Sequence, residues 1–225
     1  MTAMELVRLL QVSDSLFPVG AYAYSDGLEA AVQAGRVTTA ADLDGWLGHF
    51  VRHVFVASEG RALLRTWRAL AADDWDTIVR LDGELTALRP AAAARASSSA
   101  IGRRYLKTCL ATFEDAAIAA AESRLPDANA PVAYAVIARR LRVAPRDAML
   151  AFGYTRLAGF VSAALRLMAL GQQQGQIALR RATDLLPAAV DEIEGHADEP
   201  LRSFSPGFDV CQMNHRHLYS RLFRS

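Results

Sequence analysis

The sequence predicts an all-α fold arranged as a single helical domain. Apolar residues recur at the i, i+3, i+4, i+7 spacing of amphipathic helices in nearly every segment, and no segment shows sustained polar–apolar alternation. Gly- and Pro-containing breaks separate the periodic segments at short intervals, which predicts roughly nine or ten helices with short connections. These breaks fall at 13–26, 35–39, near 73, 89–90, 125–131, 144–145, 171–175, 187 and 195–207.

The first irregular segment, residues 13–29, combines fixed backbone positions with aromatic side chains. Tyr22 and Tyr24 supply two rings with hydroxyl groups, and Asp26 with Glu29 has the spacing of a capping box that opens the next helix. The backbone path is set by Pro18, Gly20 and Gly27. This segment is either a buried structural turn or a recognition surface that could line a passage.

Three later segments are predicted helices with identifiable features. The first carries an apolar stripe between residues 43 and 55, with Thr39 available as its N-cap. Residues 91–104 begin with an Ala/Ser-rich stretch, which favours a helix that packs closely against its neighbours. A longer helix over residues 149–168 can begin at Pro145, because proline is favoured in the first helical turn.

The C-terminal residues 204–225, here called the tail, form the final predicted element. Its last twelve residues, 214–225, follow a break at Pro206-Gly207, and in them aromatic and leucine side chains alternate with arginines. So short a terminus cannot bury its own apolar face, and Tyr and Arg are enriched at interface hot spots. The tail is therefore either a docking element for another protein or a segment that packs on its own domain.

Composition excludes several classes of protein. The chain has 225 residues, is 52% hydrophobic and has a net charge of +1, so a real core is expected and a broad basic surface for nucleic acid is not. The apolar stretch 157–165 is stopped by Arg156 and Arg166, well short of the ~20 residues of a membrane span. The first residues, MTAMELVRLL, contain no secretion signal, which indicates a cytoplasmic protein. Two distant cysteines, Cys109 and Cys211, fit a reducing compartment.

The sequence lacks the common catalytic motifs. No glycine precedes Lys-Ser or Lys-Thr, and His-Glu-x-x-His, Gly-x-Ser-x-Gly and Cys-x-x-Cys are absent. The sequence therefore gives no support for the common hydrolase or zinc-finger chemistries.

Two sets of residues could hold a metal ion. His49 and His53 have the i, i+4 spacing of a helical metal site, but they border an apolar stripe and no carboxylate completes the set. A second set lies in the tail and consists of Cys211, His215 and His217; on a helix the first two share a face and the third points away. A structural role is the favoured interpretation of both sets.

Four ordered motifs resemble the UreF family of urease accessory proteins. They are PVGAYAYSDGLE at 18–29, the pattern of Arg95, Ser98, Gly102, Arg103 and Arg104, the LGQQQGQ turn at 170–176, and the ending YSRLFRS at 219–225. The resemblance spans nearly the whole chain. Five positions depart from the family pattern: Ala21, Ala23, Ala130, Asn214 and Arg216.

The resemblance implies an all-helical, dimeric, non-enzymatic factor without a stably bound cofactor. Such a factor binds UreD (UreH in some lineages) and recruits the GTPase UreG, so that Ni²⁺ is delivered in transit to apo-urease. Partner-binding positions implied by the matched motifs are Tyr24, Ser25, Glu29, Arg103, Arg104, His215, Tyr219, Arg221, Leu222, Phe223 and Arg224. Within this set, Arg103 and Arg104 are expected in inter-helix or dimer salt links.

Two further functions remain open from the sequence. The chain could activate GTP hydrolysis by UreG through an arginine that acts in trans, which would raise the rate on the order of 10³–10⁵-fold. It could also be a nickel chaperone that binds the metal directly through Cys211, His215 and His217.

Overall fold

The computed structural model describes residues 1–224 and contains, in that range, helices and their connections with no β-strand. The prediction of an all-α domain is confirmed. In chain order the α-helices are α1 Ala3–Ser13, α2 Leu28–Gln33, α3 Ala40–His49, α4 Gly60–Ala71, α5 Trp75–Ala87, α6 Ala92–Phe113, α7 Ala116–Arg124, α8 Ala130–Arg140, α9 Pro145–Leu167, α10 Gln172–Thr183, α11 Leu186–Gly195 and α12 Pro206–Asn214. Two short 3₁₀ turns occur at Ala21–Ala23 and His215–His217.

Helix α8 lies at the centre of the domain. Its residues 130–138 are all buried, and it packs against α4, α6, α7 and α9. Tyr134 is fully buried, and its hydroxyl shares a 2.7 Å hydrogen bond with the Ser13 hydroxyl at the end of α1. A central helix that is apolar on all sides is the arrangement expected when other helices surround it completely.

A buried carboxylate fixes the entry of α8. Asp82 of α5 accepts hydrogen bonds from the backbone N–H groups of Asp127, Ala128 and Asn129 at 2.7–3.1 Å. Helix α6 passes this turn so closely that a Cβ at Gly102 would lie 1.8 Å from the Ala128 carbonyl oxygen. The glycine therefore permits the contact between α6 and α8.

The predicted helix starts at Thr39 and Pro145 are confirmed. Thr39 is the N-cap of α3 and forms a capping box with Asp42, whose carboxylate accepts four hydrogen bonds from Thr38 and Thr39. These bonds, the backbone one from Thr38 foremost, lower the pKa of Asp42 to about 2. Pro145 occupies the first turn of α9.

The helix predicted over the 43–55 apolar stripe differs from a regular α-helix. Residues Phe50–Glu59 form a π-helical segment that joins α3 to α4 in one continuous rod. Apolar residues at i+3 and i+4 indicate which side is buried but do not distinguish i→i+4 from i→i+5 backbone bonding. Long π-helical segments are rare, and π-helical turns are frequent at functional sites.

Helix α9 is the one described segment whose length and composition would suit a membrane span. It has 23 residues and a mean hydropathy of 1.3, but half of its apolar window is buried inside the domain. Arg156, in the middle of the helix, forms ion pairs with two carboxylates. These features are those of a core helix, in agreement with the sequence expectation.

Candidate functional site: the docked C-terminal tail

The carboxylate of Glu29 in α2 holds the tail on the domain. Its Oε2 lies 2.8 Å from His215 Nε2 and accepts a 3.2 Å hydrogen bond from the Phe223 N–H, while Oε1 accepts a 2.6 Å bond from the Leu222 N–H. Glu29 and His215 are each only 1% exposed. Burial of a carboxylate costs free energy unless its oxygens accept hydrogen bonds. The docked tail supplies these hydrogen bonds to Glu29.

The last residues are held by packing as well as by hydrogen bonds. Phe223 is 4% exposed, and the Arg166 guanidinium lies 4.2 Å from its ring centroid. Arg166 also donates a 2.9 Å hydrogen bond to the Tyr22 carbonyl oxygen, and the Arg224 N–H donates a 2.8 Å bond to that of Ala23. Burial lowers the pKa of Arg166. The loop 21–23 and α9 therefore form a seat for the chain end.

Between these anchors, the tail presents several large side chains to solvent. Tyr219 is fully exposed, with a relative exposure of 106%, and Leu222 is 60% exposed. Arg221 is exposed and has no hydrogen bond or ion pair within residues 1–224. The tail thus packs on its own domain, one of the two sequence alternatives, but the side chains of Tyr219, Arg221 and Leu222 remain exposed to solvent.

A buried ion network lies under α12 and next to the seat of the tail. Arg156 pairs with Asp26 at 2.6 Å and with Glu59 at 3.1 Å, and Glu59 also pairs with Arg89 at 3.1 Å. Burial alone would lower the pKa of Arg156, but the facing carboxylates more than offset it and raise the pKa above its ordinary value. All four residues line a small cavity of about 60 Å³, and Phe208 of α12 closes another wall.

Asp26 does not have the capping role predicted for it. The N-cap of α2 is Gly27, which has a φ of 89° and makes no side-chain capping bond. The Asp26 carboxylate pairs instead with Arg156, and the Glu29 carboxylate binds the tail. The capping-box prediction is wrong because both carboxylates find stronger partners that are distant in sequence.

The other predicted partner-binding residues divide between buried and exposed positions. Ser25 is buried, and its hydroxyl accepts a 3.4 Å hydrogen bond from the Glu29 N–H; Tyr24 is partly buried against the core. Arg103 and Arg104 of α6 donate to the carbonyl oxygens of Pro126 and Val19. Within the described chain they therefore make no salt link between helices, while a dimer salt link stays a prediction.

The three tail residues considered for metal binding do not form one site. Within residues 1–224, no group of three or more His, Cys, Asp or Glu side chains is placed to hold a metal ion. His215 Nε2 is committed to Glu29, and Cys211 is buried, which raises the pKa of its thiol. His217 is exposed and its Nε2 accepts a hydrogen bond from Arg216 Nε.

Three contributors to the site were missed by sequence reasoning: Arg156, Glu59 and Arg166. In the sequence, Arg156 and Arg166 are distinguished only as the charges that bound an apolar stretch. One signal was available, since a charged residue in the middle of a long apolar helix requires a buried partner. Ser225, the last residue of the terminal motif, lies outside the described residues.

Comparison with known proteins agrees with the motifs and the fold. The UreF family model matches residues 37–183. Relatives over nearly the full length of both chains are the urease accessory proteins UreF of Microcystis aeruginosa, with 35% identity over 98% of each chain, and of Methylobacillus flagellatus, with 33% identity over 98% of this chain and 97% of the relative. UreF of Thermosynechococcus vestitus is 30% identical, and the match covers both chains completely. This chain therefore belongs to the UreF family of urease accessory proteins.

Proposed function

We propose that this chain is a non-catalytic scaffold of urease maturation, which binds UreD/UreH and recruits the GTPase UreG so that nickel reaches apo-urease. The observation that carries the proposal is the tail itself. Glu29 fixes the backbone of residues 222–223, while Tyr219, Arg221 and Leu222 face solvent. A pre-ordered segment loses little conformational entropy on binding, and exposed Tyr and Arg side chains are typical interface hot spots.

A scaffold acts through differential binding. It stabilises one state of its partner by the difference between its contact energies with the two states, so it needs surfaces and no catalytic constellation. The exposed side chains of the tail supply such a surface.

The proposal is tested with a double variant, Tyr219→Ala/Arg221→Ala, in light-scattering chromatography of this chain mixed with cognate UreD and GTP-loaded UreG. Both side chains are exposed, so the variant keeps the Glu29 anchor and the core. We expect the wild type to form a ternary complex and the double variant to lose recruitment. Truncation after Phe208 is a less clean test, because it also removes the partners of the buried Glu29 carboxylate.

A matched control is Tyr154→Ala, which removes an exposed tyrosine from α9, outside the tail. The control is expected to assemble as the wild type does. Equal assembly by all three proteins would remove the tail from the recruitment mechanism. Failure of the wild type to assemble with either partner would contradict the scaffold function.

The exposed guanidinium of Arg221 favours a second candidate function, activation of GTP hydrolysis by UreG. An exposed arginine that has no partner among residues 1–224 can reach a nucleotide bound to another protein. The Arg221→Lys variant keeps the charge but loses the planar fork. A fall in UreG turnover of two or more orders of magnitude with this variant would favour activation, while little acceleration by the wild type would favour the plain scaffold.

We further propose that the protein is a cytoplasmic homodimer that binds no nucleic acid and holds no stable cofactor. The near-neutral charge supports the proposal on nucleic acid. The same light-scattering measurement on the chain alone tests the dimer, since a monomer mass at micromolar concentration would contradict it.

A further inference from the structure

We propose that His49 and His53 form a surface site for a borderline divalent transition-metal ion such as Ni²⁺, Zn²⁺ or Cu²⁺. Their ring centroids are 4.6 Å apart, and the ring planes are inclined by 39°. Two nitrogens bound to one metal at 2.0–2.1 Å lie about 3 Å from each other. Rings at this separation can each direct a nitrogen to one metal ion by small rotations. The site is separate from Cys211, His215 and His217, the tail residues considered above for metal binding.

The two imidazoles have donor atoms available. His53 is exposed, and neither of its ring nitrogens has a hydrogen-bond partner among the described residues. His49 is half-buried, and its Nε2 lies 3.2 Å from the Ser205 hydroxyl. Metal-binding histidines commonly hold one ring nitrogen on a polar neighbour in this way, which leaves the other, here Nδ1, for the metal.

Burial and one nearby cation define the electrostatic surroundings of the pair. Burial, with smaller effects of His53 and Arg52, lowers the pKa of His49. Arg52 is the nearby cation that opposes a bound dication, and its guanidinium lies beside Gly48. With two protein ligands and water at the other positions, the ion should exchange readily. The preference should follow Cu²⁺ over Ni²⁺ and Zn²⁺.

The location connects this pair to the start of the tail. Ser205 is the N-cap residue of α12, and the His49 ring stacks on Phe208 at 5.7 Å. Trp46 also stacks on Phe208, and the centroids of these two rings are 4.0 Å apart. A metal ion on the histidines would therefore lie close to a tryptophan that reports its presence by fluorescence quenching.

The test uses the full chain alone, so it stands or falls independently of the proposed scaffold function. Equilibrium dialysis against Ni²⁺ at pH 7.5 and Cu²⁺ quenching of tryptophan fluorescence are measured for the wild type, His53→Ala and His196→Ala. His196 is an exposed histidine at the end of α11 and serves as the matched control. Loss of one of two ligands removes the chelate gain, so His53→Ala should weaken binding about 10²-fold. His196→Ala should not change it.

His49→Gln provides a second variant, with far-UV circular dichroism to establish that the helical content of the protein is unchanged. It should also weaken Ni²⁺ binding, because glutamine is a poor ligand for this class of metal. Equal Ni²⁺ binding by the wild type, His53→Ala and His49→Gln would overturn the proposal. Binding that disappears only in His217→Ala would overturn it as well and would assign the metal to the tail.

Discussion

The change Glu29→Ala should release the tail from the domain without unfolding the core. The carboxylate accepts hydrogen bonds from His215 Nε2 and from the N–H groups of Leu222 and Phe223. Alanine is a good helix former, so α2 itself should persist. The donors lose their acceptor and can regain hydrogen bonds only when the tail opens and they reach water.

The size of the effect follows from these three contacts. A hydrogen bond to a charged group contributes about 1.5–3 kcal/mol, and three such bonds that act together contribute on the order of 4 kcal/mol after allowance for non-additivity. That free energy corresponds to about a 10³-fold rise in the open population, since 1.4 kcal/mol is a factor of ten. The burial of Phe223 and the Arg224 hydrogen bond to Ala23 are not directly affected.

Native-state hydrogen exchange is the direct assay, because it reports local opening residue by residue. The Leu222 and Phe223 amides should exchange at least 10²-fold faster in Glu29→Ala than in the wild type. Amides of α8, which is buried throughout, should keep their protection. The control Glu192→Ala removes an exposed carboxylate from α11 and should change neither region.

Unchanged exchange at both tail amides would refute the conclusion that Glu29 is the anchor. Loss of protection in α8 as well would contradict the separation of tail docking from core stability. Only selective loss at the tail agrees with the reasoning.

Three other changes test the fold. Gly102→Ala should destabilise the domain by about 3 kcal/mol in urea unfolding, because the new Cβ would lie 1.8 Å from the Ala128 carbonyl oxygen. The control Gly159→Ala, with open space at its Cβ, should stabilise the domain by about 0.5–1 kcal/mol. Equal effects of the two substitutions would contradict the close contact at Gly102. Arg156→Met should cost about 3 kcal/mol, because it leaves the part-buried Asp26 carboxylate unpaired and leaves Glu59 with Arg89 alone; a loss under 1 kcal/mol would mean that the network is solvated. The lowered pKa of Asp42, about 2 against 3.8, stabilises the folded state above pH 4 and does so less as the pH falls towards 2. Asp42→Asn should therefore lose less stability than the wild type between pH 4.5 and 2.5, and parallel losses would argue against this assignment.

The features predicted correctly from sequence are those encoded by neighbouring residues. The Thr39 cap depends on a carboxylate three residues later, and the α9 start depends on Pro145 alone. The terminal motif contains Phe223, which the structure buries against the domain, but the motif did not indicate its partners. Local rules suffice where the interacting groups are within one helical turn.

The features that sequence reasoning missed or left open depend on residues far apart in the chain. Glu29 meets His215 across 186 positions, and Arg156 meets Glu59 across 97. A pattern of apolar spacing contains no information on such pairs. Apolar spacing also did not predict the π-helical segment 50–59. Its buried residues lie on one side of the rod, as they would in an α-helix.

The central claim is that the anchored tail recruits the maturation machinery. The nickel content of urease matured in cells tests this claim most directly. The urease operon is expressed in nickel-containing medium with the wild-type chain, Tyr219→Ala/Arg221→Ala or the Tyr154→Ala control. At equal levels of the accessory protein, urease purified from the wild-type and Tyr154→Ala cultures should be loaded with nickel. Urease from the Tyr219→Ala/Arg221→Ala culture should be largely nickel-free. Full nickel loading with the double variant would contradict the claim.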